Sequence, residues 1–192
     1  MVLFINACVR KGSRTKKLAD RLLARLSAPR EEVRTAKIGF PVVDEEFLIR
    51  RDKLIKEKNF DDPTFDLARQ FANADEIVIA APFWDLSFPA SLKQYFEQIN
   101  VVGITFRYTP QGVPEGLCKA KKLTYITTAG GDYFPAEYGF GYIKALSRDF
   151  YGIKDVRLVK ATGLDIVGAD EEAILGCAFG AQETNGAPQD EP

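Results

Sequence analysis

The 192-residue sequence has no histidine, three cysteines, one methionine and one tryptophan. Without histidine, a Ser-His-Asp triad and a typical His-containing metal site are excluded. The cysteines, Cys8, Cys118 and Cys177, are odd in number and widely spaced, which fits neither a disulfide framework nor a zinc site. We therefore expect no metal. Chemistry must come from carboxylates, hydroxyls, Lys, Arg, Tyr, Cys, backbone amides or a bound cofactor.

The sequence also lacks a strong net charge and a long apolar run. Lys and Arg number 26 against 27 Asp and Glu, so no net field favours nucleic acid or an anionic membrane. No segment reaches the roughly 18 apolar residues of a membrane span. The N-terminal apolar run is too short for a signal peptide and has no cleavage site after it. We therefore expect a cytoplasmic protein with no nucleic-acid or membrane partner.

Short apolar strands alternate with amphipathic helices five times along residues 1–180, which we expect to form one domain. The pattern predicts strands at Val2–Ala7, Glu32–Ile38, Ile77–Ala81, Lys122–Thr128 and Val156–Thr162. It predicts helices at Ser13–Leu26, Thr64–Ala74, Ala90–Ile99, Tyr138–Phe150 and Ala169–Phe179. Residues 39–60 form a charged insertion with some helical periodicity, and the Gly- and Pro-containing segment after Ile99 is expected as a loop. Residues 181–192 are expected to be a disordered tail.

This alternation predicts an α/β protein with three layers and a doubly wound, five-stranded parallel sheet in the order 2-1-3-4-5. The first, third and fourth strands are apolar on both faces, as strands covered by helices on both sides must be. Right-handed crossovers then bring the loops after these three strands to one edge of the sheet. We expect any ligand site at that edge.

The first of these loops, residues 8–15, has the composition of a phosphate site. It offers the hydroxyls of Ser13 and Thr15, the cations Arg10 and Arg14, and the amides of a helix start. It has neither the dinucleotide-binding GxGxxG nor the ATP-binding GxxxxGK[ST] pattern. The alternative is that Ser13 only caps the helix and the basic residues are solvated.

The other two loops add an aromatic surface and a flexible backbone. The second, residues 81–89, has three aromatic residues in the run FWDLSF, which indicates a planar ligand or a partner surface, or packing on its own helix. The third, residues 127–133, has two threonines and the pair Gly130–Gly131, which lets backbone approach a ligand or forms a tight turn. A phosphate-binding loop, an aromatic surface and a flexible glycine backbone in one crevice together match the phosphate and the flat ring of FMN.

Three stretches, APFWDLSFPASLKQYFEQI, GITFRYTPQGVPEGL and KKLTYITTAGG, resemble the flavodoxin-like NAD(P)H:quinone oxidoreductase family, most closely its bacterial FMN-dependent NADH azoreductases. With the first loop they cover Val2 to about Tyr133. The resemblance implies a flavodoxin-like fold, FMN as cofactor, and NADH or NADPH as electron donor. It also implies a homodimer with active sites at the interface. The implied activity is ping-pong hydride transfer to quinones, azo compounds or both.

The resemblance and the loops together give a set of site residues. The expected cofactor-binding residues are Arg10, Ser13, Arg14, Thr15, Pro82, Phe83, Trp84, Asp85, Leu86, Thr127, Thr128, Gly130 and Gly131. The expected acceptor pocket consists of Phe83, Trp84, Phe106 and Tyr133, and no protein group is expected to act as a catalyst beside the flavin. The chain departs from the azoreductase pattern at Ala7, Cys8, Ala129, Asp132 and Tyr133, so substrate preference does not carry over.

Three other functions stay open on the sequence. An NADPH-dependent FMN reductase, which releases flavin as product, is favoured by the position of Arg10 in the first loop. A flavodoxin-like electron carrier would bind FMN without hydride transfer, but such carriers are typically strongly acidic and this chain has a net charge of -1. The third open function is that of a flavodoxin-like binding module without a cofactor.

Overall fold

The computed structural model describes residues 1–179. Its strands are β1 (Val2–Asn6), β2 (Arg30–Arg34), β3 (Glu76–Ala80), β4 (Phe106–Tyr108), β5 (Pro114–Gly116), β6 (Lys122–Thr128) and β7 (Asp155–Ala161). Five of them form a parallel sheet in the order β2-β1-β3-β6-β7, and β4 pairs with β5 in a separate antiparallel hairpin. The sheet therefore has the 2-1-3-4-5 order that the sequence predicts.

Helices follow the strands as expected. They are α1 (Arg14–Leu23), α2 (Glu45–Lys56), α3 (Asp66–Asn73), α4 (Ala90–Ile99), α5 (Tyr142–Ala145) and α6 (Glu171–Cys177). Short π-helical turns at Glu137–Gly141 and Leu146–Phe150 extend α5 in both directions. Side chains of Ser13, Asp44 and Asp170 cap α1, α2 and α6, since each accepts a hydrogen bond from the backbone N–H three residues later.

Hydrophobic residues cover both faces of the sheet. On one face, Ile5 of β1 and Ile79 of β3 belong to a core shared with α3, α4 and α5. On the other face, Phe4 and Val78 pack with α1 and α6. Because successive side chains of a strand point to opposite faces, each central strand contributes to both cores. This arrangement gives the three expected layers, and each fully buried Ile or Phe contributes about 1.5–3 kcal/mol of transfer free energy.

Several boundaries differ from the sequence expectation. Strand β2 ends at Arg34, because its neighbour β1 ends at the paired residue Asn6 and offers no further hydrogen bonds. The chain then forms a 3-10 turn at Thr35–Lys37. The charged insertion contains helix α2, and the segment expected as a loop contains the β4–β5 hairpin. Its strands have three residues each, too few for a period-two pattern to be detected.

The expected tail at 181–192 lies outside the described residues. Among residues 1–179, no helix has the length and apolar character needed to cross a bilayer.

Candidate functional site

A cleft of about 220 Å³ opens where the loops after β1, β3 and β6 meet, at the carboxyl ends of the strands. Expected cofactor-binding residues that line it are Arg10, Ser13, Arg14, Thr15, Pro82, Phe83, Trp84, Thr128 and Gly130. Val9, Gly12 and Asp165 also line it and were not among the expected residues. The cleft lies at the reversal of strand order between β1 and β3, where ligands of doubly wound sheets bind.

One end of the cleft is formed by the start of helix α1. Ser13 caps the helix, with its Oγ accepting from the Lys16 N–H at 3.2 Å. Within residues 1–179, the N–H groups of Gly12, Arg14 and Thr15 donate to no protein acceptor. The first turn of α1 contains no acidic residue. Unpaired amides at the positive end of a helix dipole favour an anionic group, so this end of the cleft suits a phosphate.

Arg14 is held by the loop between β7 and α6. Its Nη1 donates to the Leu164 carbonyl at 3.0 Å and to Asp165 Oδ1 at 2.7 Å. The hydrogen bond and charge of Arg14 lower the pKa of Asp165 below its ordinary value. The other two guanidinium nitrogens of Arg14 form no hydrogen bond within the described residues, so they remain available to a ligand.

A hydroxyl pair joins helix α1 to strand β6 at the floor of the cleft. Thr15 Oγ1 and Thr128 Oγ1 are 2.6 Å apart, and both side chains are buried. One hydroxyl must donate its hydrogen to the other, which leaves the second hydroxyl's hydrogen free for another acceptor. The pair therefore fixes the helix start against the sheet and still offers one donor to the cleft.

The aromatic loop is a tight turn in an unusual backbone conformation. Trp84 and Ser87 exchange two backbone hydrogen bonds, of 3.2 and 2.7 Å. Between them, Asp85 has φ 50° and Leu86 has φ 66°, both in the left-handed region. That region costs an L-residue other than Gly, Asn or Asp roughly 1–2 kcal/mol. Such strain often accompanies a functional site, and the N–H groups of Asp85 and Leu86 have no acceptor among residues 1–179.

The glycine pair is in close contact with the loop after β7. The Gly130 carbonyl accepts from Asp165 N–H at 2.8 Å, and the Gly131 carbonyl accepts from Gly163 N–H at 3.0 Å. A Cβ on Gly130 would overlap Asp165 Oδ2, so a larger residue there would require the Asp165 carboxylate to move. The N–H groups of Gly130 and Gly131 donate to no acceptor in the described part of the chain.

Six expected residues do not line the cleft. Asp85 and Leu86 lie in the turn beyond Trp84, Gly131 follows Gly130, and Tyr133 is 75% exposed. Thr127 belongs to the opposite face of β6 from Thr128, and its side chain is buried there. Phe106 is 5% exposed and packs on Phe150, with ring centroids 4.6 Å apart. Within one chain, the side chains of Thr127 and Phe106 therefore do not line this cleft, and their expected roles stay predictions.

Asp165 is the main residue that sequence reasoning missed. No local pattern singles it out, since it is one aspartate in a polar loop. The predicted strand order does place the loop after the fifth strand beside the loop after the fourth, and that signal could have found it. Together the cleft residues can bind an anion at one end and a flat ring near Phe83 and Trp84 at the other.

Comparisons with known proteins agree on one family. Residues 1–180 match the profile of a family described by its flavodoxin-like fold. The FMN-dependent NADH:quinone oxidoreductase of Clostridium perfringens is 37% identical over 183 residues, covering 89% of this chain and 90% of the relative. A second, from Clostridium acetobutylicum, is 40% identical over 186 residues, covering 91% and 92%. The structure of an FMN-dependent NADH-azoreductase from Bacillus anthracis, in complex with FMN, matches with a TM-score of 0.76 and 26% identity over 95% of both chains.

Proposed function

Because the chain belongs to the flavodoxin-like fold family, beside relatives named FMN-dependent NADH:quinone oxidoreductase, we propose that it is an FMN-dependent oxidoreductase of quinones or azo compounds. NADH or NADPH is the electron donor. One observation supports the proposal most strongly. The start of α1, whose amides have no acceptor among residues 1–179, and the aromatic turn at Trp84 line the same cleft.

The phosphate of FMN would bind at the start of α1. The N–H groups of Gly12, Arg14 and Thr15 have no acceptor among residues 1–179, and the Ser13 hydroxyl can donate while it accepts from Lys16. The Thr15–Thr128 pair adds one more hydroxyl hydrogen. These contacts fit a phosphate ester, which needs several donors and a cation.

The ring system would lie against the turn at Phe83 and Trp84. The N–H group of Gly130, which has no acceptor among residues 1–179, is a donor for a polar edge of the ring, and those of Asp85, Leu86 and Gly131 lie in the same two loops. Gly130, which has no Cβ, lets backbone come close to a flat ligand. When bound, the flavin supplies the hydride chemistry, and the protein supplies orientation and electrostatics.

No protein acid or base is needed in this cleft. Its ionisable lining residues are Arg10, Arg14 and Asp165. The pKa of Asp165 is lowered by its hydrogen bond to Arg14, so this carboxyl group holds no proton near neutral pH. Protons for the acceptor therefore come from solvent.

We also propose a cytoplasmic homodimer whose interface adjoins the cleft. Apolar side chains near the cleft remain exposed in the single chain, with Tyr133 at 75% and Tyr138 at 60% exposure. Exposed apolar surface beside a binding site favours a partner that covers it. All three cysteines are free, which fits a reducing compartment.

The purified chain tests the proposal directly. We expect bound flavin with a visible absorbance band that bleaches anaerobically on addition of NADH or NADPH and returns with menadione or an azo dye. Initial rates with varied donor and acceptor should give the parallel lines of a ping-pong scheme. A protein that binds no added FMN would exclude the proposal. Bleaching with release of the flavin, and no menadione or dye turnover by the protein itself, would favour an FMN reductase.

A further inference from the structure

The backbone around Asp165 is firmly attached to the glycine loop. Three hydrogen bonds connect the two loops, from Gly163 N–H to Gly131 O at 3.0 Å, from Leu164 N–H to Ala129 O at 3.3 Å, and from Asp165 N–H to Gly130 O at 2.8 Å. The Asp165 side chain itself is 67% exposed. The backbone is therefore fixed, while the carboxylate can change rotamer at little cost.

The carboxylate of Asp165 lies in the cleft, where an anionic ligand would compete with it. Its Oδ1 accepts from Arg14 at 2.7 Å, at the end of the cleft that suits a phosphate. Its Oδ2 lies so close to Gly130 that a Cβ there would overlap it. One side chain thus reaches from the phosphate end to the glycine loop.

The charge of Asp165 works against an anionic ligand. The other ionisable lining residues are Arg10 and Arg14, and the carboxylate cancels one of these two positive charges. The first turn of α1 carries no acidic residue, so Asp165 is the negative charge nearest to the unpaired amides among the cleft-lining residues. A phosphate and a carboxylate a few ångströms apart repel each other, and this repulsion weakens the binding of the phosphate.

We propose that Asp165 is an intramolecular substitute for phosphate, which occupies Nη1 of Arg14 in the free protein and thereby lowers the affinity of the site for a phosphate ester. This inference rests on the proposed function and concerns the affinity of the same site. Asp165 weakens the binding of FMN and leaves unphosphorylated riboflavin unaffected. It therefore reduces the preference of the cleft for phosphorylated flavin and makes the cofactor easier to exchange.

The opposite role is also physically reasonable and makes the opposite prediction. If Asp165 served to position Arg14 for the phosphate, then its removal would weaken FMN binding. Arg14 has a second anchor in the Leu164 carbonyl, at 3.0 Å, so it keeps its place without the carboxylate. For this reason the structure favours competition over positioning.

The test compares the full-length chain with Asp165→Asn, which keeps the shape of the side chain and removes its charge. Dissociation constants for FMN and riboflavin are measured by quenching of flavin fluorescence at low and high salt. We expect Asp165→Asn to bind FMN about tenfold more tightly at low salt, a change that about 1.4 kcal/mol produces. The gain should shrink at high salt, and the riboflavin constant should stay within about twofold.

Asp132→Asn is the matched control, because it removes the same charge from the neighbouring loop and does not line the cleft. We expect its FMN constant to stay within about twofold of the original chain. Should the asparagine variant fold poorly, Asp165→Ser repeats the measurement.

Two results would overturn the inference while the proposed function stands. One is that wild type binds FMN and Asp165→Asn binds it equally or more weakly. The other is that FMN and riboflavin affinities rise together, since that would mean a change unrelated to phosphate. A wild-type chain that binds neither flavin would instead overturn the proposed function.

Discussion

The hydroxyl oxygens of Thr15 and Thr128 lie 2.6 Å apart, although the two residues are 113 positions apart in the chain. The contact joins the first turn of α1 to the end of β6, so it fixes the two sides of the cleft relative to each other. Because both side chains are buried, replacing one leaves the other hydroxyl without its protein partner.

A double-mutant cycle on this pair should show strong coupling. We expect Thr15→Val and Thr128→Val each to lower the free energy of unfolding by about 1–3 kcal/mol, the cost of an unsatisfied buried hydroxyl. The double variant should lose less than the sum, by about 0.5–1.5 kcal/mol. Urea unfolding monitored by circular dichroism measures all four proteins. Additive losses would show that the hydroxyls do not interact.

Trp84 is expected to contact the bound ring. It is the single tryptophan of the chain and is 37% exposed at the cleft. Addition of FMN should therefore quench the intrinsic tryptophan fluorescence. Trp84→Ala should weaken FMN binding about 2- to 12-fold, the equivalent of an aromatic contact of about 0.5–1.5 kcal/mol, without unfolding the chain. Tyr108→Ala, on the exposed hairpin, is the control, and equal affinities in all three proteins would remove Trp84 from the site.

The left-handed backbone at Leu86 should cost stability. Leu86→Gly relieves the strain at φ 66°, whereas Leu86→Ala removes the side chain and keeps the strain. Glycine also has a greater conformational entropy in the unfolded state, which offsets part of the relieved strain. We therefore expect the glycine variant to be more stable than the alanine variant by about 0.5–1 kcal/mol. FMN affinity should fall in the glycine variant, because the N–H groups at this turn are held less rigidly. A glycine variant no more stable than the alanine variant would mean that the turn is unstrained.

The three thiols should differ in reactivity according to burial. Burial raises the pKa of Cys118 to about 12, and it also raises the pKa of the half-buried Cys8. Cys177 is exposed on α6. With a chromogenic disulfide reagent at pH 8, we expect one fast thiol, one slow thiol and one that reacts only in denaturant. Cys177→Ser should remove the fast phase, and a fast phase that persists in this variant would contradict the assignment.

Asp75 should contribute stability that acid removes. It accepts a hydrogen bond from Lys119, at 2.6 Å, and another from the N-terminal amine, and these contacts lower its pKa to about 2. A lowered folded-state pKa stabilises the protein above the unfolded value of about 3.9, and this contribution is lost as pH falls toward 2.

The check is the urea midpoint of wild type and Asp75→Asn as a function of pH. The difference between the two urea midpoints should have its full size at pH 7 and should shrink toward zero as the pH falls below about 4. Asp61→Asn removes the same charge from a residue that has no hydrogen bond or ion pair among residues 1–179, and should show no such trend. A difference that is independent of pH would exclude the ionised pair as its source.

The sequence predicted which loops meet at the cleft better than it predicted the segments around them. Buried strands such as Ile77–Ala81 carry apolar residues at every position, and that pattern is local. The sequence alone therefore predicts that the loops after such strands meet at one edge of the sheet. The hairpin of β4 and β5 was missed because strands of three residues carry too little pattern, and it is this hairpin that places Phe106 against Phe150 instead of in the cleft.

The amino-acid sequence by itself determined the order of strands and helices, and with it which loops meet, because hydrophobic periodicity and turn residues act over a few positions. Only the tertiary structure decided which side chains share the cleft. Arg14 meets Asp165 across 151 residues, and Thr127 faces away from the site while Thr128 faces the helix. Such contacts depend on strand register and on the geometry of the packed layers, and no local pattern encodes them.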